Sequence, residues 1–224
     1  MCVPSWLTSS IGKKTLMALS GLALLLFVVM HLLGNLLIFL GPDALNAYAK
    51  KLEGFGPWLW AVRGGLLVAV AVHIWTSVQL TLENRRARPQ PYARYRTVKT
   101  TLAARTMLAT GILLAIYLAY HLLHFTFRVT NPEISRGVDA LGRRDVYTMV
   151  VRSFQQVPIT FIYVAGMAFV CLHLSHGVGS AFQTLGLTNE RTLPALNWSS
   201  RLFALVMFFG YISIPFAVLL GFVR

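Results

Sequence analysis

Five stretches of this chain contain no Asp, Glu, Lys or Arg: 15–41, 64–82, 106–127, 153–189 and 202–223. Crossing a hydrocarbon core of about 30 Å takes about 20 apolar residues in a helix, so each stretch is long enough or nearly so. The rest of the composition agrees, with 56% hydrophobic residues, only 12% charged, and a mean hydropathy of +0.65. A soluble domain carries about twice that charge. The sequence therefore predicts an integral membrane protein. Its first stretch is too long, and too rich in Gly, His and Asn at its far end, to be a cleavable signal peptide, and it reads as a retained helix.

The expected spans are 15–40, 58–82, 101–127, 157–182 and 200–222, within a single integral membrane domain over 1–224. Residues 1–14, with Pro4, Trp6, Lys13 and Lys14, suit the headgroup region. Gly41-Pro42 stops the first span. A short helix is expected over 44–52, and Trp58 and Trp60 anchor the second span at an interface. The amphipathic segment 146–154 suits a helix lying flat at the interface. Pro215 marks a kink in the fifth span.

Net charge is +13, which in a membrane chain reflects orientation and lipid contact rather than nucleic acid binding. With the N-terminus inside, the inner segments hold eleven basic and two acidic residues, and the outer segments nine and five. The bias favours a cytoplasmic N-terminus and an outside C-terminus in a prokaryotic cytoplasmic membrane. The basic loop 83–96 reads as a topology determinant and as a docking surface for a cytoplasmic partner. Cys2 and Cys171 lie at incompatible depths for a disulfide, and Cys171 reads as packing.

All six histidines fall in the apolar stretches: His31, His73, His121, His124, His173 and His176. An ionisable residue at membrane depth costs several kcal/mol without partners, so each is a functional-site candidate. Counting along the spans at about 1.5 Å per residue places His31 and His121 in the outer half and His73 and His173 in the inner half. Two depth-matched pairs, from spans 1 and 3 and from spans 2 and 4, suit two bis-histidine haems in a bundle of four helices. The expected fold class is thus an all-α membrane protein with five transmembrane helices, four of them forming a haem-binding bundle. His124 and His176 each follow a candidate ligand by three residues on nearly the same face. They stand as alternative ligands, or as partners of a propionate or a quinone.

These residues resemble the cytochrome b subunit of succinate:quinone oxidoreductases and fumarate reductases, of the single-anchor, five-helix, two-haem type. The resemblance spans the chain. It rests on His31 followed by Leu-Leu-Gly-Asn, on His73 in span 2, and on His121 in Tyr-His-Leu-Leu-His-Phe-Thr. It rests also on His173 in Cys-Leu-His-Leu-Ser-His-Gly, similar to the family's His-x-Ser-x-Gly pattern, and on a fifth span without histidine. The resemblance implies two haem b groups, one on His73 and His173 near the cytoplasmic side and one on His31 and His121 near the outer side. It implies a flavoprotein subunit, an iron–sulfur subunit and a membrane quinone, menaquinone, as partners, placing the chain in a respiratory chain and the tricarboxylic acid cycle. It also implies a quinone site by the outer haem with Glu53 as its proton relay, since turning quinone into quinol takes two protons with two electrons. Some fumarate reductases of this type carry a glutamate two residues before the span-4 ligand; here that position is Cys171.

Two other readings differ in what they require. A di-haem cytochrome b of a hydrogenase or formate dehydrogenase distributes its histidines over fewer helices. A haem-free proton-coupled transporter calls for acidic partners within the spans or an internal repeat. The chain has neither.

Overall fold

The computed structural model describes residues 9–87, 90 and 100–224. Cys2, Pro4, Trp6 and most of the basic loop, at 88–89 and 91–99, lie outside the described residues. Among those described there are nine α-helices and no strand: α1 Ser10–Asn35, α2 Pro42–Glu53, α3 Pro57–Ala87, α4 Leu102–Arg105, α5 Met107–His121, α6 Pro132–Ser135, α7 Val146–Phe154, α8 Val157–Thr184 and α9 Leu193–Leu219. A 3₁₀ turn, Leu36–Leu40, extends α1, and a π turn, Leu122–Thr126, extends α5. Five of these helices, α1, α3, α5, α8 and α9 with those extensions, are long and apolar enough to cross a membrane. The protein is an all-α integral membrane protein with five membrane-spanning helices.

The helices overrun the expected spans where local caps and ion pairs favour it. α1 starts at Ser10 rather than at 15 because Ser9 caps it, its hydroxyl accepting from the Gly12 N–H at 3.0 Å. Lys13 is then inside the helix, where it pairs with Glu83 near the end of α3. That pair holds the start of α1 against the finish of α3, and α3 continues to Ala87 with Arg85 and Arg86 in its last turn. α9 begins at Leu193, with Pro194 in its first turn, and runs unbroken past Pro215. Span 3 is interrupted instead: Thr106, at φ −98° and ψ 5°, separates α4 from α5. At the other end of α1 the chain turns at Gly41, whose φ of 97° favours glycine, and Pro42 opens α2.

α1 packs against α3 and α8, and α8 packs against α5 and α9. α1 and α5 make no extended backbone contact, nor do α3 and α8. These two pairs are therefore diagonals of the bundle.

The buried core gathers at one end, called here the cap end, where α2, α6 and α7 fold over the helices. Ile38, Leu45, Met149, Val150, Phe154, Tyr163, Ile214 and Val218 form its centre. α7 packs into this cap, with Met149, Val150, Val151, Ser153 and Phe154 all buried. Asn46 ties this cap together. It is 1% exposed, donates to Asp145 at 3.1 Å and accepts from the Tyr147 N–H at 3.0 Å. Asp145 in turn caps α7 by accepting from the Thr148 N–H at 3.0 Å. Arg143 adds ion pairs to Asp139 at 2.7 Å and Asp43 at 2.8 Å.

Burial opposes ionisation of Asp145, but hydrogen bonds from Thr148 and Asn46 outweigh it and hold the carboxyl below its ordinary range. A depressed carboxylate contributes stability in full above its unfolded pKa of about 3.9 and loses it as pH falls further. The melting temperature should accordingly be level at neutral pH and drop below about pH 4. Asp145→Asn should lower the melting temperature at pH 7 and shallow the acid drop. An acid drop as steep as that of the wild type in Asp145→Asn would show that the stability comes from elsewhere.

Candidate functional site

The bundle brings four histidines from four different helices into two pairs. His31 of α1 and His121 of α5 have ring centroids 5.9 Å apart, with ring planes at 86°. His73 of α3 and His173 of α8 are 6.3 Å apart, with ring planes at 66°. Each pair joins a diagonal of the bundle. The levels are well separated: Thr110, which touches His173, lies eleven residues before His121 on α5, about 16 Å along the axis.

The hydrogen bonds decide the proton positions at the first level. His73 Nδ1 lies 3.1 Å from the Met17 carbonyl, which can only accept, so Nδ1 carries the proton. Thr110 donates its hydroxyl proton to the Thr106 carbonyl at 3.0 Å, leaving its oxygen to accept from His173 Nδ1 at 3.3 Å. In the neutral form of each ring the lone pair is therefore on Nε2. An N–H tied to a carbonyl or hydroxyl while the other nitrogen stays free is the arrangement of a metal-binding histidine. Glycine makes room for it: a Cβ at Gly21 would stand 3.1 Å from His73 Cε1.

At the cap-end level the surroundings are aromatic. His31 stacks on Phe27 at 5.3 Å, and Tyr211, whose hydroxyl donates to the Val28 carbonyl at 2.7 Å, lies 6.5 Å from the His31 ring. His121 is enclosed by Tyr117, Phe125 and Tyr163, with centroids 6.3, 5.8 and 6.0 Å away. Its Nδ1 is buried without a hydrogen-bond partner.

The geometry separates the companion histidines from these pairs. His124 is 1% exposed and has both ring nitrogens occupied, Nδ1 by the Tyr163 hydroxyl at 2.9 Å and Nε2 by Ser153 Oγ at 3.3 Å. It lies in the π turn and shares Tyr163 and Phe125 with His121 as ring neighbours. His176 is half-buried, one turn beyond His173, and has no ring contact with His73 among the described residues.

Two imidazoles can hold one metal ion only at a fixed spacing. The ligating nitrogen sits about 2 Å from a first-row ion and roughly 1.2 Å from its own ring centre, which puts facing centroids about 6 Å apart. Both pairs meet that spacing. No group of three or more His, Cys, Asp or Glu that could hold an ion occurs among the described residues. Two imidazoles complete a coordination sphere only when the metal brings its remaining ligands, as haem iron does. The donor set and the spacing fit haem, while His121 Nδ1, unlike those of His73 and His173, has no hydrogen-bond partner.

Glu53 closes α2 at the cap end and pairs with Arg144 at 3.3 Å, not with the neighbouring Lys50 or Lys51. Arg128 lies in the same region, at a φ of 55°, donating to the Ser135 carbonyl at 3.3 Å. Burial and the charges of Arg144 and Arg136 push its pKa down, and Glu53 acts the other way. Glu53 is therefore the acid in an arginine-rich corner. The sequence reading missed Arg144, Tyr163, Ser153 and Thr110. A hydroxyl within an apolar stretch was the one available signal for the last three.

Protein-family models, curated proteins and solved structures provide no match to this chain.

The proton placement is directly measurable. In ¹⁵N-histidine-labelled protein without bound metal, His73 and His173 should give neutral rings protonated at Nδ1, and His124 a neutral ring protonated at Nε2. An Nε2–H ring at His73 would remove the lone pair the pairing needs.

Proposed function

We propose that this chain is the di-haem b membrane anchor of a succinate dehydrogenase or fumarate reductase, passing electrons between an iron–sulfur subunit and a membrane quinone. One observation carries the reading: two histidine pairs, each at metal-bridging spacing, joining diagonal helices at two levels about 16 Å apart. His73 and His173 would hold one haem and His31 and His121 the other. Haem iron so ligated supplies one-electron transfer across the apolar layer.

The chain's own residues do the rest. Met17 and Thr110 fix the rotation and tautomer of the His73 and His173 rings. Phe27, Tyr117, Phe125 and Tyr163 fix the cap-end rings and exclude water from them. Charge asymmetry favours a cytoplasmic N-terminus, which puts the His73/His173 level beside the iron–sulfur and flavoprotein subunits, in a prokaryotic cytoplasmic membrane. The quinone, menaquinone in this reading, then sits at the cap end, where Glu53, paired with Arg144 at 3.3 Å, accepts and delivers protons. With Cys171 in place of an acid and no charged residue at the centre of any span, protons taken up at the cap end have no carboxylate route through the bundle. Electron transfer is then coupled to the membrane potential.

A pyridine haemochrome assay with reduced-minus-oxidised spectra tests the reading. The expected result is two haem b per chain, one lost in His121→Ala and both kept in His124→Ala. No haem in the intact complex from native membranes would overturn it and bring the transporter reading forward. Glu53→Gln should slow quinone-dependent turnover at least tenfold while succinate oxidation with a soluble dye stays near the wild-type rate. Equal loss in both assays would remove Glu53 from the quinone site.

A further inference from the structure

The hydrogen-bonded triad of Tyr163, His124 and Ser153 belongs to neither histidine pair, and its polarity runs one way. Ser153 Oγ donates to the Met149 carbonyl at 2.7 Å, so it accepts from His124 Nε2–H. His124 Nδ1 therefore carries the lone pair and accepts from the Tyr163 hydroxyl at 2.9 Å. The chain links α8, the π turn and α7, all within a dry interior where each group would otherwise lack a partner. No nitrogen of His124 is left for a ligand or a transferred proton.

We infer that His124 is a positioning residue for the imidazole of His121, acting through Tyr163 and Phe125; this rests on the functional reading above. His73 and His173 have their rotation set by hydrogen bonds at Nδ1, but His121 Nδ1 has none. Packing alone orients it. Tyr163 meets the His121 ring at 66° and Phe125 meets it at 67°. Both packing rings are in turn held by His124: Tyr163 through its hydroxyl, and Phe125 by stacking at 4.1 Å and 25°. Tyr163 has little freedom otherwise, being wedged between Tyr117 at 5.5 Å and Phe154 at 5.1 Å. Tyr117 reaches that place because residue 166 is glycine, where a Cβ would stand 2.5 Å from the Tyr117 ring. His124 itself is carried by the π turn that extends α5, and it is buried there.

The test uses the full complex purified from membranes and low-temperature EPR, in which each bis-imidazole haem gives a low-spin signal that depends on the relative orientation of its rings. His121→Ala first identifies the signal of the cap-end haem. Tyr163→Phe removes only the hydroxyl, and His124→Phe keeps the stacking ring but removes both hydrogen bonds. Both should retain the His73/His173 signal unchanged and shift, broaden or lose the cap-end signal alone, with His124→Gln returning it toward the wild-type position. Unchanged signals in both variants, or equal changes at both haems, would overturn the inference. If His124→Phe does not accumulate, Tyr163→Phe decides. A wild-type complex with no haem would instead overturn the functional reading, and is seen before any variant is made.

Discussion

A neutral imidazole has one donor and one acceptor, and hydrocarbon has a partner for neither. Each unmet group costs on the order of 1–3 kcal/mol, so in a chain that carries histidine in four of its spans the surroundings of each ring matter. The bundle surrounds them in three ways. At the level of His73 and His173 the donors go to a carbonyl and a hydroxyl, at 3.1 and 3.3 Å. His124 takes both of its partners from side chains. His31 and His121 are left to each other and to aromatic faces. Each histidine pair joins two helices that make no extended backbone contact of their own.

The existence of the spans and the pairing of histidines by depth were legible because both rest on distance along a helix, which a sequence states directly. What lay outside its reach is tertiary. Lys13, inside the first turns of α1, pairs with Glu83, a residue seventy positions away. Glu53 has two lysines beside it in sequence, yet pairs with Arg144, since the loop after α6 folds back over the end of α2. Placing His124 on the face of His121 assumed a regular α-helix through 121–124. The helix widens into a π turn from Leu122, and nothing in Leu-Leu-His-Phe-Thr announces it. His124, within it, takes its partners from Tyr163 and Ser153, which are 39 and 29 residues away.

Some residues of the recognised motifs turn out to have packing roles that explain their presence. Asn35 donates to the His31 carbonyl at 2.6 Å, bracing the last turn of α1 where it tightens to a 3₁₀ turn. Gly34 lets α2 close on α1, since a Cβ there would stand 2.7 Å from the Tyr48 ring. In His31-Leu-Leu-Gly-Asn, then, one residue faces the other histidine and two serve the fold around it. The same holds for Gly21 under His73. Glycine frequency in membrane helices is uninformative by itself, but a glycine whose Cβ would strike a named ring has one specific reason to be there.

The two levels are held by different physics, and they should fail differently. Directional hydrogen bonds from α1 and α5 orient His73 and His173, so that level depends on its own four helices and little else. His121 is oriented by packing, and packing is only as firm as what lies behind it. Behind it stand Tyr163 and Phe125, then Phe154 and Ser153 of α7, then Asn46 and Asp145, which fasten α7 to α2. A path of contacts therefore runs from the polar cap to one histidine pair and stops there. Glu53 sits at the surface end of that path, on the last turn of α2. Loosening the cap, by acid or by substitution, disturbs the site nearest Glu53 first and leaves the distant pair in place.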